Sequence, residues 1–155
     1  TMDYIINANR EINAEHPETV VINLFDHSRL IRGREDTELK RLDAISKGCM
    51  LMQSELGVIT ILLSQLNRNI EQEHRARNQY QPLLTDIFGG DSIGQDAHVV
   101  IILNRPFDLY GITSEYCGED PKGLLACHME KNRDGLLGMI GYEADMSTFT
   151  IKERT

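Results

Sequence analysis

The sequence predicts an α/β fold, a mainly parallel sheet flanked by helices with an antiparallel hairpin at the C-terminal end. Three observations predict it. VVINLF at 20–25 and VITILL at 58–63 are near-continuous apolar runs, the pattern of strands covered on both faces. Between them Leu39, Leu42, Ile45, Cys49, Met52 and Leu56 recur at intervals of three and four, which is one apolar face of a helix. A strand–helix–strand unit closes by a right-handed crossover and so implies a parallel pair. Beyond residue 124 the apolar segments become short, and Asp134–Gly135 is a tight-turn signal of the kind that joins antiparallel strands.

In chain order, residues 3–15 carry Ile5, Ile6, Ala8 and Ile12 on one helical face, with Asp3 as the expected N-cap and Pro17 as the stop. The first strand runs into Asp26. In open α/β sheets ligands bind beyond the carboxyl ends of strands, so a carboxylate there is well placed to meet a metal or a phosphate; the competing reading is a plain cap for the next segment. After the charged loop RGRED at 32–36, Thr37 is the expected cap of the second helix and Gly57 its terminator. The second strand ends in Ser64 and Gln65, so both strands deliver polar side chains to the same carboxyl edge. Residues 69–90 are polar and lack a steady period, as functional or solvated loops do. They contain His74, Arg75 and Arg77, just after Arg68, but also Glu71, Glu73 and Asp86. SIGQDA at 92–97 reads as one or two helical turns, VVIIL at 99–103 as a third buried strand, and 107–122 as a loop.

At 155 residues the chain is long enough for a real hydrophobic core, and 41% apolar with 26% charged residues fits a soluble globular protein. No apolar run approaches about eighteen residues and no signal-peptide pattern opens the sequence, so no membrane partner and a cytoplasmic location are expected. Cys49, Cys117 and Cys127 are odd in number and widely spaced, which favours reduced thiols, and Cys127–His128 lacks the spacing of a zinc site. The net charge of −8 excludes tight nonspecific nucleic-acid binding by a lone copy; such binding has to come from local basic loops gathered by assembly.

FDHSRL, then SQLNRNIEQ, then DIFGGDSIGQDAHVVIILNR, then KNRDGLLG resemble, in this order, the C-terminal motor of DnaB-type replicative DNA helicases. The resemblance covers nearly the whole chain and implies a RecA-like (P-loop NTPase) core, with 1–155 as one partial motor domain from the Walker B strand onward. It implies ATP and Mg²⁺ as cofactors. Asp26 falls on the Walker B acid, where Mg²⁺ favours a hard oxygen ligand, often through water. Ser64 and Gln65 fall beside the nucleotide, Gln65 on the residue that senses the γ-phosphate. Lys131 and Arg133 fall on the basic pair that reaches a neighbouring subunit's nucleotide, with Arg133 the arginine finger. Arg68, Arg75, Arg77, Phe88, Gly89 and Gly90 fall in the loops that touch single-stranded DNA. The resemblance implies a hexamer; separately, an unpaired sheet edge is a liability, so dimerisation or strand exchange of this chain is expected.

Two departures stand out. His27, Ser28 and Arg29 follow the acid where the family usually has Tyr-Leu-Gln, and Phe88, Gly89, Gly90 and Asp91 replace its Arg-Glu-Ser-Gly. No G-x-x-x-x-G-K-[ST] occurs, because the family's P-loop and its catalytic Glu lie before the helix that opens this sequence. The chain is therefore expected to be ATPase-inactive alone, as half a nucleotide site. Other readings are a P-loop-less assembly relative, a RecA- or RadA-like recombinase fragment, and, with least behind it, a metal nuclease using Asp26, Asp86, Asp91 and Asp96.

Overall fold

The structure, a computed structural model, describes residues 1–88 and 90–154. They form two compact units, one of Thr1–Leu66 with Ile87–Ala97 and one of Asn67–Asp86 with His98–Thr155.

The first unit holds helix α1 (Met2–Glu15), strand β1 (Ile22–Phe25), helix α2 (Glu38–Leu56), strand β2 (Ile59–Leu62) and the short helix α3 (Gly90–Asp96). β1 and β2 pair in parallel, Ile22 opposite Ile59 and Phe25 opposite Leu62, as the crossover rule requires. α2 starts where expected: the Thr37 hydroxyl accepts the Lys40 amide at 3.3 Å, supplying one of the orphan donors of the first turn with a partner. It ends at Gly57 with φ of 65°, a left-handed conformation that a Cβ would strain. α1 starts two residues earlier than expected, with Thr1 rather than Asp3 as its N-cap. Leu42, Ile45 and Met52 of α2 are fully buried, and burial of side chains this size contributes about 1.5–3 kcal/mol each. Leu39 was expected on that face but is exposed.

The two strands correct the expectation of cover on both faces. Phe25 and Leu62 pack inward on α1 and α2, while Ile22 and Leu24 are 62% and 64% exposed, and Ile59 and Ile61 are about as open. The runs look continuous because both faces are apolar, yet the helices of this unit cover only one. Even Asn23, the polar interruption, points inward: its amide donates to Asn9 Oδ1 at 3.1 Å, and Asn9, buried on α1, donates to the Ile5 carbonyl. The pair satisfies polar groups that burial would otherwise leave costly.

The second unit is built on an antiparallel sheet of β3 (Val99–Asn104), β4 (Leu124–Asn132), β5 (Gly138–Asp145) and β6 (Thr150–Glu153), in that order. The β4–β5 hairpin turns through Arg133–Gly135, as Asp134–Gly135 predicts. β3 again departs from the expected buried strand, because Val100, Ile102 and Asn104 are buried while Val99, Ile101 and Leu103 are exposed. This alternation is the mark of a sheet with one face covered. On the covered face lie Leu124, Ala126 and the fully buried Tyr116, with the short helix α4 (Pro106–Tyr110) inside the segment expected to be loop.

Residues 67–86 are also more ordered than their pattern suggested. Three 3-10 turns, Arg68–Glu71, Glu73–Asn78 and Leu84–Asp86, fold around a buried ion pair. Tyr80 stacks on Tyr110 at 4.6 Å between ring centroids, and Gln79 donates to Ser114 Oγ and the Glu115 carbonyl.

Candidate functional site at the carboxyl edge of the parallel strands

Asp26 follows directly on β1 and is exposed; among the described residues its carboxylate has no hydrogen-bond or ion-pair partner. The register fixes what lies beside it. The Leu63 amide donates to the Phe25 carbonyl at 3.0 Å and the Ser28 amide donates to the Leu63 carbonyl at 2.9 Å, so Asp26 sits at the same edge as Leu63 and Ser64. The Asp26–His27 peptide is cis. Ser64 is half-buried and Gln65 exposed, so the edge presents a carboxylate, a hydroxyl and a carboxamide side by side.

Arg29, which lies in the 3-10 turn Ser28–Leu30, joins this edge to the next segment. Its Nη1 donates to Gln65 Oε1 at 3.3 Å, its Nε donates to Glu38 Oε1 at 2.7 Å, and its guanidinium carbon lies 5.0 Å from the centre of the Phe88 ring. The Phe88 amide donates to the Gln65 carbonyl at 2.8 Å, beside a Leu66–Ile87 bridge. Phe88 is half-buried against the core of Ile31, Leu42, Ile45 and Ile93. The first unit thus brings together Asp26, Ser64, Gln65 and Phe88. Arg29 is the member that sequence reasoning missed; its departure from the family's pattern was the available signal.

The remaining expected site residues have different surroundings. Arg75 is 8% exposed. Its two terminal nitrogens donate to both carboxylate oxygens of Asp86 at 2.9 Å, and Nη2 also donates to the Gln81 carbonyl at 2.6 Å. The Asp86 carboxylate, 2% exposed, takes the Leu83 amide as well. Asp86 holds the Arg75 guanidinium more firmly in its charged form. The Arg75 fork is thus taken up by Asp86 and the Gln81 carbonyl inside the second unit. Arg68 and Arg77 are exposed on the surface of the same segment. Lys131 is half-buried on β4 opposite Val100, and Arg133 is exposed in the β4–β5 turn, its amide donating to the His98 carbonyl at 3.0 Å. Gly89 lies outside the described residues, and Gly90 begins α3.

Asp96, one of the four nuclease candidates, accepts the Ser46 hydroxyl at 2.8 Å, and Asp86 is taken by Arg75. Among the described residues no three His, Cys, Asp or Glu side chains gather around a point that would hold a metal ion. The oxygens of Asp26 and Ser64 do fit a magnesium ion that is carried by a nucleotide, since both are hard donors at one open edge.

Residues 1–151 match the family model for the DnaB-like helicase C-terminal domain. The chain belongs to this family. It is 30% identical over 135 residues to the replicative DNA helicase DnaB of Mycoplasma pneumoniae, covering 86% of this chain and 27% of that protein. It is 32% identical over 120 residues to the corresponding helicase of Geobacillus stearothermophilus, covering 76% of this chain and 24% of the relative. The chain therefore spans about a quarter of the length of these relatives. Among solved structures, a DnaB-like replicative helicase described with its interactions with primase matches with a TM-score of 0.82 at 24% identity, over 100% of this chain and 35% of that one. An isolated ATPase domain matches with the same TM-score and identity, over 100% of this chain and 52% of that one. The fold is RecA-like. No helix among the described residues is long and apolar enough to cross a membrane.

Proposed function

We propose that this chain is the part of a hexameric, ATP-driven replicative DNA helicase that carries the Walker B acid, the phosphate sensor, DNA-facing loops and the arginine finger. The observation that carries this reading is the shared edge: Asp26, Ser64 and Gln65 end two parallel strands side by side, and Gln65 is bonded through its backbone to Phe88. Asp26 is the acid that helps hold nucleotide-bound magnesium, with Ser64 beside it. Magnesium, when bound with ATP, neutralises charge on the phosphoryl oxygens. Gln65 offers a carboxamide, able to donate to a phosphate oxygen and neutral enough to let go. Arg133, on a hairpin turn, has the planar fork that stabilises charge spreading over a transferring phosphoryl group, with Lys131 its cationic neighbour. Arg68 and Arg77 supply positive charge for single-stranded DNA, Phe88 a ring on which a base can stack, and the glycines at 89 and 90 a residue type that lets backbone amides approach phosphates. Self-association of this chain alone, as a dimer, is supported by the uncovered apolar face of β1 and β2.

The test is Arg133→Ala in the native protein that contains these residues. Loss of an arginine finger is expected to lower ATP turnover by about 10³-fold or more while nucleotide affinity stays within a few-fold. Full turnover in that variant removes the finger assignment. A native protein with no ATPase at all leaves the P-loop-less assembly reading in its place.

A further inference from the structure

Arg29 stands where the family usually carries a Gln. It is the side chain on which three parts of the first unit converge. It belongs to the turn that follows Asp26, and the Ser28 amide pins that turn to β2 through the Leu63 carbonyl. Its Nε is held by Glu38 in the first turn of α2, and Glu38 is itself held by Arg41 Nη2 at 3.3 Å. With one end of the guanidinium fixed to a helix, the other end meets Gln65 Oε1 and the plane of Phe88.

We infer that Arg29 is a positioning residue that orients the Gln65 carboxamide and couples its movement to Phe88. This rests on the helicase reading of Gln65 and Phe88. The chemistry of the contact sets the orientation. A guanidinium only donates, so the carboxamide must turn its oxygen to Arg29 and keep its NH₂ as the outward donor. A carboxamide with its NH₂ outward is the form that greets an anionic phosphate oxygen. When Gln65 moves toward or away from a phosphate, the Nη1 bond breaks or forms, and the guanidinium, pivoting on its Nε bond to Glu38, shifts over the Phe88 ring because both contacts use one rigid, planar group. The backbone bond from Phe88 to the Gln65 carbonyl keeps the ring within reach of that change. The tie between sensor and loop is therefore built from a residue that departs from the family's usual pattern.

Two measurements test it separately. The chain contains no tryptophan, so Phe88→Trp places a single indole reporter under Arg29. In that background Arg29→Gln is expected to shift the indole emission and raise its collisional quenching by neutral acrylamide by about twofold or more, since the stacked cation is gone. Unchanged quenching overturns the contact. In the native protein without the reporter, Arg29→Gln is expected to lower the ratio of single-stranded-DNA-stimulated to unstimulated ATP turnover by about 3- to 30-fold, the span of measured couplings between sites. Arg29→Lys keeps the cation and loses the fork; it is expected to restore the indole signal without the stimulation ratio. If Lys restores both, orientation of Gln65 by the fork is wrong. A wild-type protein that shows no stimulation by DNA overturns the helicase reading together with the relay. Normal stimulation in Arg29→Gln beside a stimulated wild type overturns the relay alone.

Discussion

Arg75 and Arg77 are two residues apart, carry the same charge and look alike in the sequence, yet one is buried on Asp86 and the other faces solvent. The difference follows from Asp86, whose carboxylate closes the segment by taking both guanidinium ends and the Leu83 amide. Removing one partner of such a pair strands the other charge, so Asp86→Asn is expected to cost about 3–5 kcal/mol, measured by urea denaturation. A loss below about 1 kcal/mol would mean that water reaches Arg75. His128 is a further buried titratable group with a defined partner. The Asn104 amide donates to the Tyr116 oxygen at 2.9 Å, and that hydroxyl is hydrogen-bonded to His128 Nε2 at 3.0 Å. Burial lowers the His128 pKa from the ordinary 6.5 and raises that of Tyr116, so both stay neutral. Between 6.5 and the lower folded value, the unfolded chain binds a proton that the folded chain does not. Stability from this group is full above that window and falls as pH drops through it. The thermal midpoint is therefore expected to fall between about pH 7 and pH 5.5, and His128→Gln, which keeps an acceptor, is expected to flatten that slope. Equal slopes in the two proteins would assign the pH dependence elsewhere.

Among the elements, α2 was the most legible because everything that defines it is local. Its apolar spacing, the Thr37 cap and the Gly57 terminator all lie within about twenty residues and need no partner to be read. Thr37→Ala is expected to cost about 1 kcal/mol in thermal or urea unfolding, the ordinary value of an N-cap hydroxyl. The segment 67–86 is the opposite case. Short 3-10 turns have no long period, and an ion pair between residues 75 and 86 has no sequence signature, so an ordered piece of structure reads as polar loop. Its outward cations remain available: Arg68→Gln with Arg77→Gln is expected to weaken single-stranded DNA binding and flatten its salt dependence by about 0.7 for each phosphate no longer neutralised. An unchanged slope would take both residues out of the DNA interface.

For the whole molecule, the net charge of −8 and the lack of a G-x-x-x-x-G-K-[ST] motif within residues 1–155 set the expectations. The 155-residue chain is expected to show no magnesium-dependent ATP turnover and to bind single-stranded DNA weakly and with strong salt sensitivity. Turnover that Asp26→Ala abolishes, or tight binding by a monomer at physiological salt, would overturn the picture of a partial site completed by other residues and other copies. The exposed faces of β1, β2 and β3 bear on the same point, since their apolar side chains gain stability only when something covers them.

By itself the sequence determined the order and kind of the main elements, the parallel pair, the C-terminal hairpin, and the meeting of Asp26 with Ser64 and Gln65 at one edge. Each follows from local periodicity, caps and the handedness of a crossover. Only the tertiary structure decided which apolar faces are covered, that Arg75 turns inward to Asp86, and that Arg29 lies between Gln65 and Phe88. These depend on residues 11, 36 and 59 positions apart finding one another, and a charge or an apolar face carries no mark of its partner until the chain has folded.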